Sequence, residues 1–471
     1  MKKNGWLTLM LALGLAACLP GPKYTPRTPD EMKVPAAWHA ALPENTAGGD
    51  LSTWWRQLGD PLLTEFVEQA LQASPTMELA RAKVREARAQ RKLSQADFFP
   101  TVTASAGAGR SKSGEDPAAS DYNAGIDASW EPDIFGGTRR ALQASTAELA
   151  ATVASLHDSQ VSLAAEVAVD YVNVRSLQAR IAIARENLSL QTETRAIAGW
   201  RYQAGLVSGL DYDQARATEA QTQANIPSLE TSLAEARNAL AVLLGAAPGA
   251  LDGKLAADAP IPAVPETVTT AIPADILRQR PDVRAAEQTL VAKTALVGQA
   301  AAARYPSLSL SGTLGVEAVT LDALTKGTSV VRSLVASLAQ TIFDGGRIRR
   351  QIQIQTAVQE EALATYESTV LTALEDVENA LVSLRRYRER HGFLKTADEA
   401  ARNAAQFARQ RYAAGLIDYT SVASTQQTQL TASDSLKSCE GDITTALIQL
   451  YKAFGGGWTA ADAAVEKGKI R

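Results

Sequence analysis

Trp130-Glu131-Pro132-Asp133-Ile134-Phe135-Gly136-Gly137 closes an alternating run and opens a long heptad helix, and Gln340-Thr341-Ile342-Phe343-Asp344-Gly345-Gly346 does the same later in the chain. Downstream of each, Arg201-Tyr202-Gln203-Ala204-Gly205-Leu206-Val207 is echoed by Arg411-Tyr412-Ala413-Ala414-Gly415-Leu416-Ile417. Gly205 and Gly415 stand 210 positions apart. Self-similarity at so long a period implies two pseudo-equivalent units about an axis. Each unit carries helices of coiled-coil length and one short pair of strands.

The strands are read from a change of period. After Pro100, Val102, Ala104, Ala106 and Ala108 alternate with Thr101, Thr103, Ser105 and Gly107; the returning run sets Ala124, Ile126, Ala128 and Trp130 against Asn123, Gly125, Asp127 and Ser129. After Pro306, Leu308, Leu310, Gly312 and Leu314 oppose Ser307, Ser309, Ser311 and Thr313. The returning Leu334, Ala336, Leu338 and Ile342 mostly oppose Ser333, Ser337 and Thr341, with Val335 and Ala339 on the second face. Apolar-out, polar-in alternation over ~10 residues marks a transmembrane β-barrel strand, and equally a half-buried soluble hairpin. Four matched strands behind an export signal favour the barrel. Four strands cannot close one, since bacterial barrels start at about eight. An open edge in hydrocarbon leaves backbone groups unpaired. The barrel must be shared between chains; two chains supply eight strands and three supply twelve.

The helices carry more weight. Leu142, Leu149, Leu156 and Leu163 recur every seven residues, with Val153, Val167, Val174 and Ile181 at the offset of four, and the seam continues through Leu177 and Leu188. Leu363, Val370, Val377 and Leu384 repeat the pattern in the second copy. Sustained heptads mean coiled-coil packing. From Thr138 to Gln203 such a helix measures ~100 Å. A tube crossing an aqueous space needs that length, and a compact domain does not. The helix before the first strand pair is expected over about Pro61 to Phe98, interrupted near Ser74-Pro75; its counterpart runs from about Pro273 to Arg304. Antiparallel partners are expected over Leu210–Leu244 and Tyr419–Phe454, after tips at Gly205–Gly209 and Gly415–Asp418.

The chain has 471 residues, 46% hydrophobic and 21% charged, with a formal net charge of −4 and no basic tract. Nucleic acid is therefore excluded as a partner. Lys2, Lys3 and the apolar Leu7–Leu15 form an export signal too short to span a bilayer. It closes on Leu15-Ala16-Ala17-Cys18, which resembles a bacterial lipoprotein signal with Cys18 as the lipidated, palmitate-bearing first residue. Leu19 stands where inner-membrane lipoproteins commonly carry aspartate, so an outer-membrane destination fits better. The other cysteine, Cys439, falls in a helix and reads as core. The organisation expected is a signal at 1–17, a lipidated tether at 18–60, a first repeat at 61–245 with its hairpin at 101–135, and a Pro-rich strap at 246–272. A second repeat at 273–455, with its hairpin at 307–343, precedes a tail at 456–471.

Five stretches, in order, resemble the TolC-like outer membrane factors of Gram-negative tripartite efflux systems, in the lipoprotein (OprM/NodT-like) branch. They are Leu15-Ala16-Ala17-Cys18, Trp54-Trp55-Arg56-Gln57-Leu58-Gly59-Asp60-Pro61-Leu62, the Trp130–Gly136 run, Arg278-Gln279-Arg280-Pro281-Asp282-Val283-Arg284-Ala285-Ala286-Glu287, and Leu450-Tyr451-Lys452-Ala453-Phe454-Gly455-Gly456-Gly457-Trp458. The resemblance implies a mainly α fold with a small β part: a helical coiled-coil barrel continuous with a twelve-stranded transmembrane β-barrel shared by a homotrimer. It also implies a periplasmic adaptor and an inner-membrane RND-type pump as partners, with outer-membrane lipid around the barrel. The function implied is passive small-molecule efflux, with a duct for type I protein secretion as the rival within the family. A periplasmic coiled-coil adaptor or scaffold, which would lack lipid-facing strands, is the rival from another class.

By the same resemblance, Asp211 and Tyr412 hydrogen-bond across helices and restrain a closed periplasmic aperture; without it, Asp211 reads as a helix N-cap. Many relatives carry aspartates where this chain has Ser421 or Ser424, leaving Asp418 the nearest acidic group. The aperture is therefore expected to be less negative, and block by multivalent cations weaker. Arg201, Tyr202, Gly205, Leu206 and Val207, with Arg411, Tyr412, Gly415, Leu416 and Ile417, are the candidates for adaptor docking. Phe98, Phe99, Trp130 and Tyr305 suit an aromatic girdle or packing at the helix-to-strand junction. His39, His157 and His391 are scattered, and no metal-ligand spacing or phosphate loop points to an enzyme or a cofactor beyond the lipid on Cys18.

Overall fold

The computed structural model describes residues 21–40, 45–46, 51–265, 268–269 and 278–458. The signal, Cys18 and the tail beyond Trp458 lie outside them, as does the expected helix start at Pro273. Helices α1 (Pro61–Ala73) and α2 (Pro75–Ala96) lead into strands β1 (Thr101–Ser111) and β2 (Ala119–Trp130). Helices α3 (Gly137–Gln203) and α4 (Gly209–Leu243) follow. The second series is α5 (Pro281–Ala302), β3 (Ser307–Ala318), β4 (Val330–Ala339), α6 (Arg347–Ala413) and α7 (Tyr419–Ala453). Corresponding members match in length: α3 and α6 have 67 residues each, α4 and α7 have 35, and α2 and α5 have 22. No described helix is long and apolar enough to cross a membrane.

The helix boundaries have local causes. Asp60 accepts hydrogen bonds from the Leu62 and Leu63 amides at 2.9 and 3.1 Å, and Pro61 takes the first helical position, where its missing N–H costs nothing. Ser74 sits extended before Pro75, splitting α1 from α2 as the sequence predicts. At the start of α3, Asp133 accepts from the Thr138 and Arg139 amides at 3.2 and 2.9 Å. Asp344 repeats the device before α6, accepting from Gly346 and Ile348 at 2.7 and 2.8 Å, and these bonds hold its carboxyl below the usual range. The quoted Pro-Asp-Ile-Phe-Gly-Gly and Phe-Asp-Gly-Gly runs are thus helix-start caps.

The four strands form one antiparallel sheet in the order β1-β2-β3-β4. The register sets Val102 beside Ala128, Ile126 beside Leu314 and Leu308 beside Leu338, so most apolar residues of the four strands share a face. Arg332, opposite Leu314, and the Arg110–Ser120 pair near the β1–β2 turn are polar exceptions on that face. The opposite face is largely polar, with Val331, Val335 and Ala339 of β4 on it. There Asp127 accepts from Ser105 Oγ at 3.3 Å and Thr313 Oγ1 at 2.8 Å. The outer edges of β1 and β4 have no strand partner among the described residues. β4 ends at Ala339, so Ile342, expected on the strand, lies beyond it and is 96% exposed. The chain there is already turning into the Asp344 cap, and the Gln340 side-chain amide donates to the Arg304 carbonyl at 3.1 Å.

The chain divides into two compact units. The first takes the residues up to Thr28, Lys83–Val153 and Arg284–Thr369, and holds the sheet. Its tether crosses α5 at Gly21, whose positive φ and 2.4 Å approach of an added Cβ to the Gly298 Cα admit no side chain. Trp130 Nε1 donates to the Phe98 carbonyl at 2.9 Å, and Phe135 stacks on Tyr305 at 5.1 Å. Junction packing therefore accounts for much of the aromatic cluster, while Phe99 is 67% exposed.

The second unit takes Pro29–Ala82, Ala154–Val283 and the chain from Val370. Leu156, Leu163, Val167 and Val174 of α3 are buried, with Val370, Val377 and Leu384 of α6, as heptad packing requires. Leu142, Leu149 and Leu363 of the same seams are only half-buried. Trp54 packs against Trp55 and Tyr451 at 5.7 and 5.6 Å, and an added Cβ on Gly456 would meet the Leu51 carbonyl at 2.8 Å. Arg280 Nη1 donates to the Ala453 carbonyl at 3.0 Å while its other nitrogens engage Asp282 and Asp376. Three of the sequence stretches that carry the family resemblance thus meet in one core. The strap is held by its carbonyls: Leu255 accepts from Gln178 and Arg237 at 2.8 and 2.7 Å, and Ala257 from Arg175 at 2.9 Å.

Candidate functional site at the helix tips

Both long helices end in the same turn. The Gly205 amide donates to Tyr202 O at 3.0 Å and the Leu206 amide to Arg201 O at 2.8 Å; Gly415 and Leu416 repeat this to Tyr412 O and Arg411 O at 2.9 Å each. This paired closure is a Schellman motif, which places its glycine in the left-handed region, here at φ +72° and +78°. The next helix then starts on a cap. Ser208 caps α4, its Oγ accepting from the Asp211 amide at 3.3 Å, while the Asp211 carboxylate accepts from Ser208 N and Oγ at 3.2 and 3.1 Å. Across the repeat the chemistry is exchanged. Asp418 caps α7, and Ser421 donates to it from both N and Oγ, at 3.1 and 2.7 Å. Asp211 is therefore the third residue of a capping box, and the N-cap expected of it is Ser208.

Between the tips, Ala198, Ala215, Ala408, Tyr412, Tyr419 and Val422 form a buried cluster, with Ile417 packed at its side. Arg201 fastens the two turns together. Its Nη1 donates to the Tyr412 carbonyl at 2.7 Å and its guanidinium lies 4.8 Å over the Tyr412 ring. The Tyr412 hydroxyl is buried with no hydrogen-bond partner among the described residues. Burial pushes this phenol up, the Asp211 charge adds to the rise, and Arg201 opposes it. No Asp211–Tyr412 hydrogen bond exists within the chain, because the Asp211 carboxylate is engaged by the Ser208 cap.

The remaining candidates separate into two sets. Tyr202, Leu206 and Leu416 are exposed, at 48%, 68% and 67%, and so form apolar points on the turns; Arg411 is exposed beside them and Val207 is half-buried. Asp418, Ser421 and Ser424 are exposed on the first turns of α7, and the two Ser421 bonds hold the Asp418 carboxyl below its usual range. Three participants escaped the sequence reading: Trp200, 68% exposed on the last turn of α3; Tyr212, stacked on Tyr202 at 5.8 Å; and buried Tyr419, edge-on to Tyr412 at 6.1 Å. The tyrosine that each copy carries just after its tip was the available signal.

Helices that begin at caps beneath an amphipathic sheet and end in apolar, glycine-turned tips define an outer-membrane channel subunit. The outer membrane efflux protein family model matches residues 66–246 and 272–456, and the chain belongs to that family. Nodulation protein T of Rhizobium leguminosarum bv. trifolii is 30% identical over 89% of this chain and 90% of its own. The pyoverdine export outer membrane protein OpmQ of Pseudomonas aeruginosa is 30% identical over 97% of both chains. Among solved structures, the outer-membrane channel OprN matches with a TM-score of 0.88 at 36% identity, covering 94% of this chain and all of its own. The open-state MtrE channel of Neisseria gonorrhoeae matches at 0.83 and 26% identity, covering 94% and 99%. The protein is an efflux channel component of the outer membrane.

Proposed function

We propose that three copies of the chain, each built of two internal repeats, close a twelve-stranded barrel in the outer membrane and continue it as a helical duct into the periplasm. The carrying observation is the sheet: a mostly apolar face shared by four strands, and two edges unpaired among the described residues, which hydrocarbon does not tolerate. Pairing β1 of one copy with β4 of the next removes every edge, and twelve strands leave room for a lumen where eight fill with side chains. The matched lengths of the two helix series support the repeat. Cys18, outside the described residues, carries the lipid that tethers each copy.

The duct is passive and conducts small molecules delivered by a periplasmic adaptor and an inner-membrane RND-type pump. Adaptor helices engage the Schellman turns, where Leu206, Leu416 and Tyr202 are exposed and Gly205 and Gly415 keep the surface low. Opening parts the two turns that Arg201 joins, and Asp418, Ser421 and Ser424 then face the aperture. Substitution of Gly205→Glu and Gly415→Glu together tests the docking role. Trimers should still assemble, while efflux measured as drug susceptibility in a strain carrying the cognate pump should be lost. Unchanged export would show that docking lies elsewhere.

A further inference from the structure

Arg140, in the first turn of α3, is only 5% exposed, yet its Nε and Nη2 are buried with no hydrogen-bond partner among the described residues; Nη1 donates to Gln143 at 3.2 Å. Neighbouring arginines differ. Arg139 is taken up by Asp133, at 3.2 Å to the carboxylate and 2.8 Å to the carbonyl. Arg350, the counterpart in the second series, makes the same bond to Gln353 at 2.8 Å but is exposed to solvent. A buried guanidinium without a counter-charge is costly, so an anion is needed beside Arg140.

Arg140 borders a cavity of about 530 Å³ with Arg139 on its rim and no acidic residue among those that line it. The rest of the wall is largely apolar, from Leu142, Ala147, Val291 and Ala295. Tyr24 of the N-terminal tether closes one side, fixed by its 2.8 Å hydrogen bond to Glu287. Arg139 and Arg140 lie in the first turn of α3, the helix that follows β2 and Trp130 at the end of the sheet's apolar face. An anion with an apolar body, available at the membrane surface, fits these walls.

We propose that this cavity is a phospholipid site, with the phosphodiester of an anionic phospholipid on Arg140 and an acyl chain along Leu142, Ala147, Val291 and Ala295. Bound there, the lipid ties the first helical turn and the tether to the membrane surface.

Native mass spectrometry of the detergent-released full-length assembly tests this, with palmitoyl-oleoyl phosphatidylglycerol, the matching phosphatidylethanolamine and inorganic phosphate as probes. The wild type should retain phosphatidylglycerol about tenfold more tightly than either Arg140→Met or Ala150→Phe, which leaves the arginine and blocks the exposed cavity wall. If Arg140→Met does not assemble, Ala150→Phe alone decides. Equal lipid retention by wild type and variants overturns the proposal. So does saturation by inorganic phosphate without lipid retention, or a lipid-free wild type whose Arg140→Met form falls apart, which would assign the counter-charge to a neighbouring subunit.

Discussion

Arg201 does two things with one guanidinium: it caps the Tyr412 carbonyl at 2.7 Å and lies 4.8 Å over the same residue's ring. A charged hydrogen bond contributes ~1.5–3 kcal/mol and a half-exposed cation–π contact ~0.5–1 kcal/mol. Arg201→Ala therefore removes a restraint worth roughly one and a half to three decades in an equilibrium constant. Single-channel recording should show a clear rise in open probability, and Arg201→Lys should restore only part of the closure because it lacks the planar fork. The glycines were legible as turn formers, and the repeat of Arg-Tyr-x-x-Gly marked both tips. The Arg201 clasp was not legible, since it joins positions 201 and 412 through tertiary folding. The same holds for Arg140, whose burial distinguishes it from Arg350 although both begin Arg-x-x-Gln.

The helices and strands were largely visible in the sequence because their periods are set by burial on one face. The heptad seam located α3 and α6, and two-residue alternation located β1 to β4. Ile342 misled because alternation can continue past the last paired residue, and only ladder bonds end a strand. The caps were harder to read: Asp211 serves Ser208 from the third helical position, a role set by local backbone geometry. Asp133 carries the start of α3 with two amide bonds, its side chain 9% exposed. Asp133→Ala should cost ~1 kcal/mol, read as a lower thermal midpoint, and should increase amide exchange first over Thr138 and Arg139. Asp418 caps α7 in the same manner with a depressed carboxyl, so its contribution is present above the ordinary carboxylate range and is lost as pH falls through the folded value.

In the proposed trimeric duct, charge at the aperture would be set by Asp418 with hydroxyls at Ser421 and Ser424. The two Ser421 hydrogen bonds draw on the Asp418 carboxylate, leaving a weaker site for multivalent cations than a full acidic ring. Trivalent cations in planar bilayers should block weakly, and Ser424→Asp should strengthen the block markedly; strong block of the wild type at low concentration would contradict this.

In the proposed trimer, closure of the sheet edges between copies turns a four-stranded, amphipathic sheet into a membrane-compatible wall. The mass of the detergent-solubilised mature complex, measured by light scattering with the detergent contribution subtracted, tests it most directly. Three polypeptides per particle are expected; a monodisperse single chain, soluble without detergent, would contradict a shared barrel.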